Sequence, residues 1–152
     1  MNINLKGLIG KLDDTSRRAL EGAAGLCLSR THYDVDIEHV LTKLMEMPDT
    51  DLHRIFRHYG VDTSRFSRDM TRVLDGFKTG NARTPSLSPR LPRLINEAWS
   101  LASIEYGSNR VRSGHLLLAL LSEQDLLRMM RDVSSEIQKI SPEDLHKRFR
   151  DL

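Results

Sequence analysis

Cysteine is almost missing from this chain of 152 residues: Cys27 stands alone. A single thiol excludes an internal disulfide and any cysteine-based zinc cluster. Nine glycines and five prolines are too few for a linker or a disordered tail, so most of the chain is expected to fold. Apolar residues never run on for the ~20 positions that a membrane span needs, and the start lacks the basic-then-apolar pattern of a signal peptide. A soluble, cytoplasmic protein with no membrane partner is the expectation. Chemistry is scarce too. There is no phosphate-binding GxxxxGK[ST] loop, since Gly10-Lys11 lacks both the preceding glycine and the following hydroxyl, and no HExxH pair. No serine, histidine and aspartate set is singled out by spacing. Catalytic residues, metal ligands and a cofactor are therefore not expected in this chain.

What is present is a hydrophobic share of 39% with 29% charged residues, enough for one compact domain over 1–152. Residues 1–75 carry 11 basic and 12 acidic groups, whereas 76–152 carry 12 and 9. The excess lies in 76–93, where Lys78, Arg83, Arg90 and Arg93 meet no acid. A nucleic-acid module is one reading of that stretch. No aromatic interleaves these cations to stack on bases, so a solvated connector is the preferred one, and no nucleic-acid partner is expected.

The chain repeats itself. Residues 18–27 (RALEGAAGLC) lie over 93–102 (RLINEAWSLA) at an offset of 75, and 35–44 (VDIEHVLTKL) lie over 111–120 (VRSGHLLLAL) at an offset of 76. A third match sets 61–66 against 140–145. Both halves read as helices throughout, because no run alternates as a half-buried strand does. Asp13, Ser88, Asp62 and Ser141 stand where N-caps belong, with Pro89 presetting a first turn. Apolar stripes at helical spacing (Leu20, Ala23, Ala24, Cys27, Leu28; Ile37, Val40, Leu41, Leu44; Leu116, Leu117, Leu120, Leu121) read as core. Gly60 is a helix C′ residue and Trp99 is expected to be largely buried. Of the six histidines, His39 and His115 fall at matching helix starts, which favours helix-end packing over metal ligation.

The doubled pattern, with EHVLTKL at 38–44 and GHLLLALL at 114–121, resembles the amino-terminal domain of Clp-type AAA+ unfoldases over about residues 12–152. Gly114, where the first half has Glu38, departs from it and is expected to touch only a local cap. Within that family the opening LKGLIGKLDDTS at 5–16, followed by RALE at 18–21, most resembles the ClpV group, the unfoldases of type VI secretion systems. The resemblance implies an all-α fold of two pseudo-twofold-related four-helix repeats with an extra amino-terminal helix. Repeat one would be about 13–75, the linker about 76–87 and repeat two about 88–152. It further implies a receptor for an amino-terminal helix of the large sheath subunit after contraction. ATP and Mg would belong to AAA+ rings outside this chain. The parent would be a homohexamer and the isolated domain a monomer.

The extra helix, about 2–12, can also be read from its residues. Leu5, Leu8, Ile9 and Leu12 fall at i, i+3, i+4 and i+7, one face of a helix. Gly7 and Gly10 each cost roughly 1 kcal/mol against alanine, so this short piece must dock to persist. It is read either as an arm over the core or, with the resemblance, as one wall of an apolar peptide groove. Ala23, Ala24, Cys27, Thr84, Pro85 and Leu87 are placed opposite. The rival functions are a peptide-binding adaptor domain of another Clp ATPase and the basic nucleic-acid module.

Overall fold

The computed structural model describes residues 5–152. Helix α1 (Leu5–Lys11) is followed by α2 (Asp14–Ser29), α3 (Ile37–Glu46), α4 (Asp51–Tyr59) and α5 (Thr63–Asp75). The second half runs through α6 (Arg90–Ser100), which widens into a π-helical turn over Leu101–Glu105, then α7 (Ser113–Ser122), α8 (Gln124–Val133) and α9 (Pro142–Arg148), with short 3-10 turns before and after α9. The expected amino-terminal helix begins at Leu5 among the described residues; positions 2–4 of that expectation lie outside them. Leu12, expected inside the helix, instead starts an extended step.

Local chemistry sets the helix ends. Asp13 accepts from Ser16 N–H at 2.9 Å, Asp62 from Arg65 N–H at 3.1 Å and Ser141 from Asp144 N–H at 3.2 Å. Ser88 Oγ accepts from Arg90 N–H at 3.3 Å, so Pro89 occupies the first turn as expected. Gly60 closes α4 at φ 70°, a left-handed conformation that favours glycine.

The all-helical expectation needs one correction. Two parallel pairings join the halves: β1 (Asp34–Val35) pairs with β2 (Ser86–Leu87), and Leu12 bridges Val111. They are the same device used twice. Val35 and Val111 stand 76 apart and Leu12 and Leu87 stand 75 apart, so the loop before α3 holds the residues leading into α6, while the loop before α7 holds those leading into α2. Such two-residue pairings are too short for alternation to reveal them.

Helix α7 is buried from Ser113 to Leu121 and so carries the centre of the core, as a helix apolar on nearly every side must. It packs against α4, α6, α8 and α9, while α3 packs against α2 and α5. Polar bonds tie the repeats together across this core: Tyr59 Oη donates to Asp144 at 2.7 Å, Ser134 Oγ to Asp69 at 2.6 Å and Asp62 N–H to Glu136 at 2.8 Å. Among the described residues no helix is long and apolar enough to cross a membrane.

Candidate functional site

Helix α1 lies on α6. Leu8 is buried and Leu12 fully so, whereas Leu5 and Ile9 stay half-buried. The apolar face read from the spacing is thus the docking face, with its two flanking residues still reaching solvent. Three contacts hold its carboxyl end: Val111 N–H donates to Lys11 O at 2.7 Å, Asp13 N–H donates to Val111 O at 2.8 Å, and the Arg110 guanidinium donates to Gly10 O at 2.5 Å. Lys11 Nζ sits 4.7 Å from the centre of the Trp99 ring, in cation–π range. Trp99 keeps less than about a third of its surface exposed and packs against the core.

The residues placed opposite α1 do not form one wall. Ala23 and Cys27 have no exposed surface and belong to the α2–α3 contact. Small side chains there let α3 approach, and they have nothing left to offer a ligand. Ala24 is exposed on the other face of α2 together with Leu28. Thr84 is exposed, and Pro85 and Leu87 are half-buried on the strap that leads through β2 into α6. Thr84 also lines a shallow depression of about 490 Å³ with Tyr33 and Asn81. Helix α6 therefore links what the sequence proposed: α1 rests along it and the strap enters it, while Ala23 and Cys27 drop out.

The basic stretch is largely spoken for. Arg90 Nη2 meets Asp36 at 2.9 Å and Glu38 at 3.0 Å, and Arg93 meets Glu123 at 2.7 Å and Asp125 at 3.5 Å. Lys78 lies over the Tyr33 ring at 5.3 Å. Acids from other parts of the chain neutralise two of the four cations, which a count along the sequence could not show.

Three histidines share one job that spacing only hinted at. Each is the third residue of its helix, and its Nδ1 accepts a backbone N–H: His39 from Asp36 at 3.0 Å, His53 from Thr50 at 3.2 Å and His115 from Arg112 at 2.9 Å. The bond fixes the tautomer, so each neutral ring carries its hydrogen on Nε2. His39 Nε2–H then donates to His32 Nδ1 at 2.9 Å, which leaves the His32 hydrogen on Nε2, a buried atom with no partner. Burial, with the neighbouring His32, pushes His39 down to about 4 and keeps this chain neutral. Cys27 completes a trio with these two rings whose donor atoms lie within 4.8 Å of one another. The sequence reading missed that convergence because intervals of five and seven residues match no metal motif. Burial, reinforced by Asp34 and Asp36, raises the Cys27 thiol, which opposes the thiolate a metal would need.

The comparisons agree with this architecture. The Clp repeat (R) N-terminal domain model matches residues 11–133, and the chain belongs to that family. It is 31% identical over 147 residues to the AAA+ ATPase ClpV1 of Pseudomonas aeruginosa, covering 97% of this chain and 16% of that protein. It is 36% identical over 149 residues to the chaperone protein ClpB of Yersinia enterocolitica, covering 98% and 17%. The chain thus spans about one sixth of the length of these relatives. Among solved structures, the N-domain of ClpV from Vibrio cholerae superposes with a TM-score of 0.88 at 31% identity, over 99% of this chain and 90% of that one. A complex of the ClpV N-domain with a VipB peptide gives 0.82 at 31% identity, over 98% and 91%.

Proposed function

We propose that this chain is the substrate-recognition domain of a type VI secretion AAA+ unfoldase. In this reading it binds an amphipathic amino-terminal helix of the contracted sheath's large subunit, so that ATPase rings outside the chain can take the sheath apart. The observation that carries the reading is α1 itself, an apolar helix outside both repeats that keeps Leu5 and Ile9 at the surface beside α6. Likeness to a ClpV N-domain in complex with a VipB peptide supports it. The ligand face consists of Leu5, Ile9 and the edge of Leu8, with Thr84, Pro85 and Leu87 on the strap.

Helix-in-groove recognition uses a few anchors at i, i+3, i+4 and i+7. Four anchors at ~1.5–3 kcal/mol give roughly 6–12 gross, and ordering the peptide costs about 2–5, which leaves micromolar binding or weaker. A ring presenting several copies to a polymeric sheath gains avidity without new contacts. The domain itself works without enzymatic activity, ATP, Mg or a metal; the Cys27, His32 and His39 trio serves as a packed hydrogen-bonded chain. An adaptor role for another Clp ATPase is the second reading, favoured by the similarity to ClpB.

The test is binding of a sheath-derived amphipathic peptide, followed by fluorescence anisotropy. Leu8→Asp places a charge in an apolar contact and is expected to erase micromolar binding. Because Leu8 is buried, Thr84→Asp is run beside it at an exposed position, where folding is not at stake. Lys6→Asp, at an exposed site on α1, is the charge control; Lys11 is unsuitable because it caps Trp99. Undiminished binding in both Leu8→Asp and Thr84→Asp would place the ligand elsewhere.

A further inference from the structure

A cavity of about 350 Å³ opens between the two repeats. Its lining includes Arg54, Arg112, Arg150, Tyr106, Phe149 and His115. None of these was singled out by the sequence as part of a binding site.

His115 makes this cavity different from other surface hollows. As shown above, its Nδ1 accepts the Arg112 N–H, so the Nε2 of the neutral ring must carry a hydrogen. The two other histidines locked in this way spend that hydrogen on a protein acceptor: His39 on His32 at 2.9 Å and His53 on Met45 O at 3.2 Å. Among the described residues His115 Nε2 has no acceptor, although the residue is only 2% exposed and lines the cavity. Its Nε2–H reaches solvent at the cavity and is free to donate to an acceptor bound there.

The surroundings say what kind of acceptor. Among the charged lining residues three arginines face one acid, Asp51. Asp51 is already committed, accepting from Arg112 Nε at 2.8 Å and Nη2 at 2.6 Å and from Arg54 Nη2. Burial pushes the Asp51 carboxyl up, but the Arg112 bonds and charge outweigh it and hold the group below its usual range. With Asp49 also 3.8 Å from Arg54, the acids Asp49 and Asp51 match Arg54 and Arg112, and Arg150 is the guanidinium group left over. Arg150 donates one N–H to Glu105 O at 3.2 Å and lies over the Tyr106 ring at 5.6 Å, with the rest of its fork unspent. Beside Ile55, Ser108 and Leu152 the wall is aromatic: Phe149 stacks on His115 at 5.0 Å and lies 4.9 Å from Tyr106.

We propose that this cavity binds a carboxylate carried on an aromatic or apolar stem, with His115 Nε2–H and the Arg112 and Arg150 guanidinium groups as donors to the carboxylate and Tyr106 and Phe149 against the stem. Planar guanidinium forks match a carboxylate's geometry. A volume of this size admits one amino-acid-sized group. A free acid and the end of a peptide share this chemistry. The site stands independently of the α1 face.

The experiment titrates the whole chain with N-acetyl-phenylalanine, its neutral amide, the tripeptide Ala-Ala-Phe with a free carboxylate, and inorganic phosphate, read by nitrogen-15 and proton shifts of the His115 ring. The acids are expected to shift the Nε2–H signal saturably, and the amide to bind about tenfold more weakly. Arg150→Gln, at an exposed position, is expected to weaken the acids about tenfold while the melting temperature holds. Tighter binding of the tripeptide assigns a peptide terminus, and equal affinity assigns a small free acid. Amide and acid binding alike, phosphate binding in place of the acids, or an Arg150→Gln chain that binds as the parent does would each overturn the proposal.

Discussion

The two repeats place a histidine at the same turn of the same helix and end with opposite results. In repeat one His39 is sealed: its hydrogen goes to His32, Phe77 lies edge-on to both rings, and the guanidinium of Arg90 closes the loop by binding Asp36 and Glu38. In repeat two the residue 75 positions after His32 is Gly107, and the one 76 after Glu38 is Gly114. Gly107 has no ring to accept the His115 hydrogen, and His115 lines a cavity instead. Duplicated sequence therefore preserves the helix start, while what surrounds the start decides whether it becomes core or site. One expectation is corrected here. Gly114 is more than a missing cap, since a Cβ there would stand 2.9 Å from Phe149 Cζ and 3.2 Å from Asp51 Cβ. Only glycine lets α7 approach both.

The contrast can be broken from either side. The largest effect is expected at Arg90, whose removal strands a buried acid. Arg90→Gln should cost about 3 kcal/mol, the low end for breaking a buried pair because Arg90 itself is partly exposed. In repeat two Arg112→Gln, at the position matching Asp36, should cost about 1 kcal/mol, since that arginine is half in water. Urea denaturation of both at pH 7.5 checks the ranking, and equal losses would contradict it.

Acid should expose the sealed histidine next. His39 titrates from 6.5 when unfolded to about 4 when folded, so the unfolded state binds the proton first. Stability is full above about pH 6.5 and falls as the pH drops towards 4, by up to roughly 3 kcal/mol for this group. His32 and His115, both lowered by burial, act in the same direction. Melting curves from pH 7 to 4.5 are expected to slope accordingly. His39→Asn, which keeps a backbone acceptor but cannot titrate, should flatten the slope more than the same change at His115.

Gly114→Ala is expected to cost about 2 kcal/mol by overpacking against Phe149 and Asp51. In repeat one the comparable change, Gly25→Ala on α2, meets no atom within 4 Å and should stabilise by a few tenths up to about 1 kcal/mol. Thermal melts of the two variants are expected to move in opposite directions.

The smallest difference lies at the caps. Asp13→Ala is expected to cost about 1 kcal/mol, whereas Ser88→Ala, losing a longer bond beside Pro89, should cost less. A calorimetric difference of a degree or two in melting temperature is enough to rank them.

Much of this was legible in the chain itself, because it is encoded locally. Caps at Asp13, Asp62 and Ser141, the stop at Gly60, the apolar face of α1 and the repeat at intervals of 75 and 76 depend on neighbours a few residues apart or on direct self-comparison. Which side of a helix meets which partner is not local. Ala23, Ala24 and Cys27 look alike as small residues on one helix, yet α3 covers two of them and leaves the third in water. The basic stretch looked open, yet Arg90 and Arg93 meet acids 30 to 54 residues away. Cys27 joined His32 and His39 only when α3 packed on α2, and His115 came to line a cavity only when the two repeats packed. Side-chain type and spacing determined the helices, their ends and their doubling; tertiary packing alone decided which buried donors found partners, since an acceptor must arrive from a distant part of the chain.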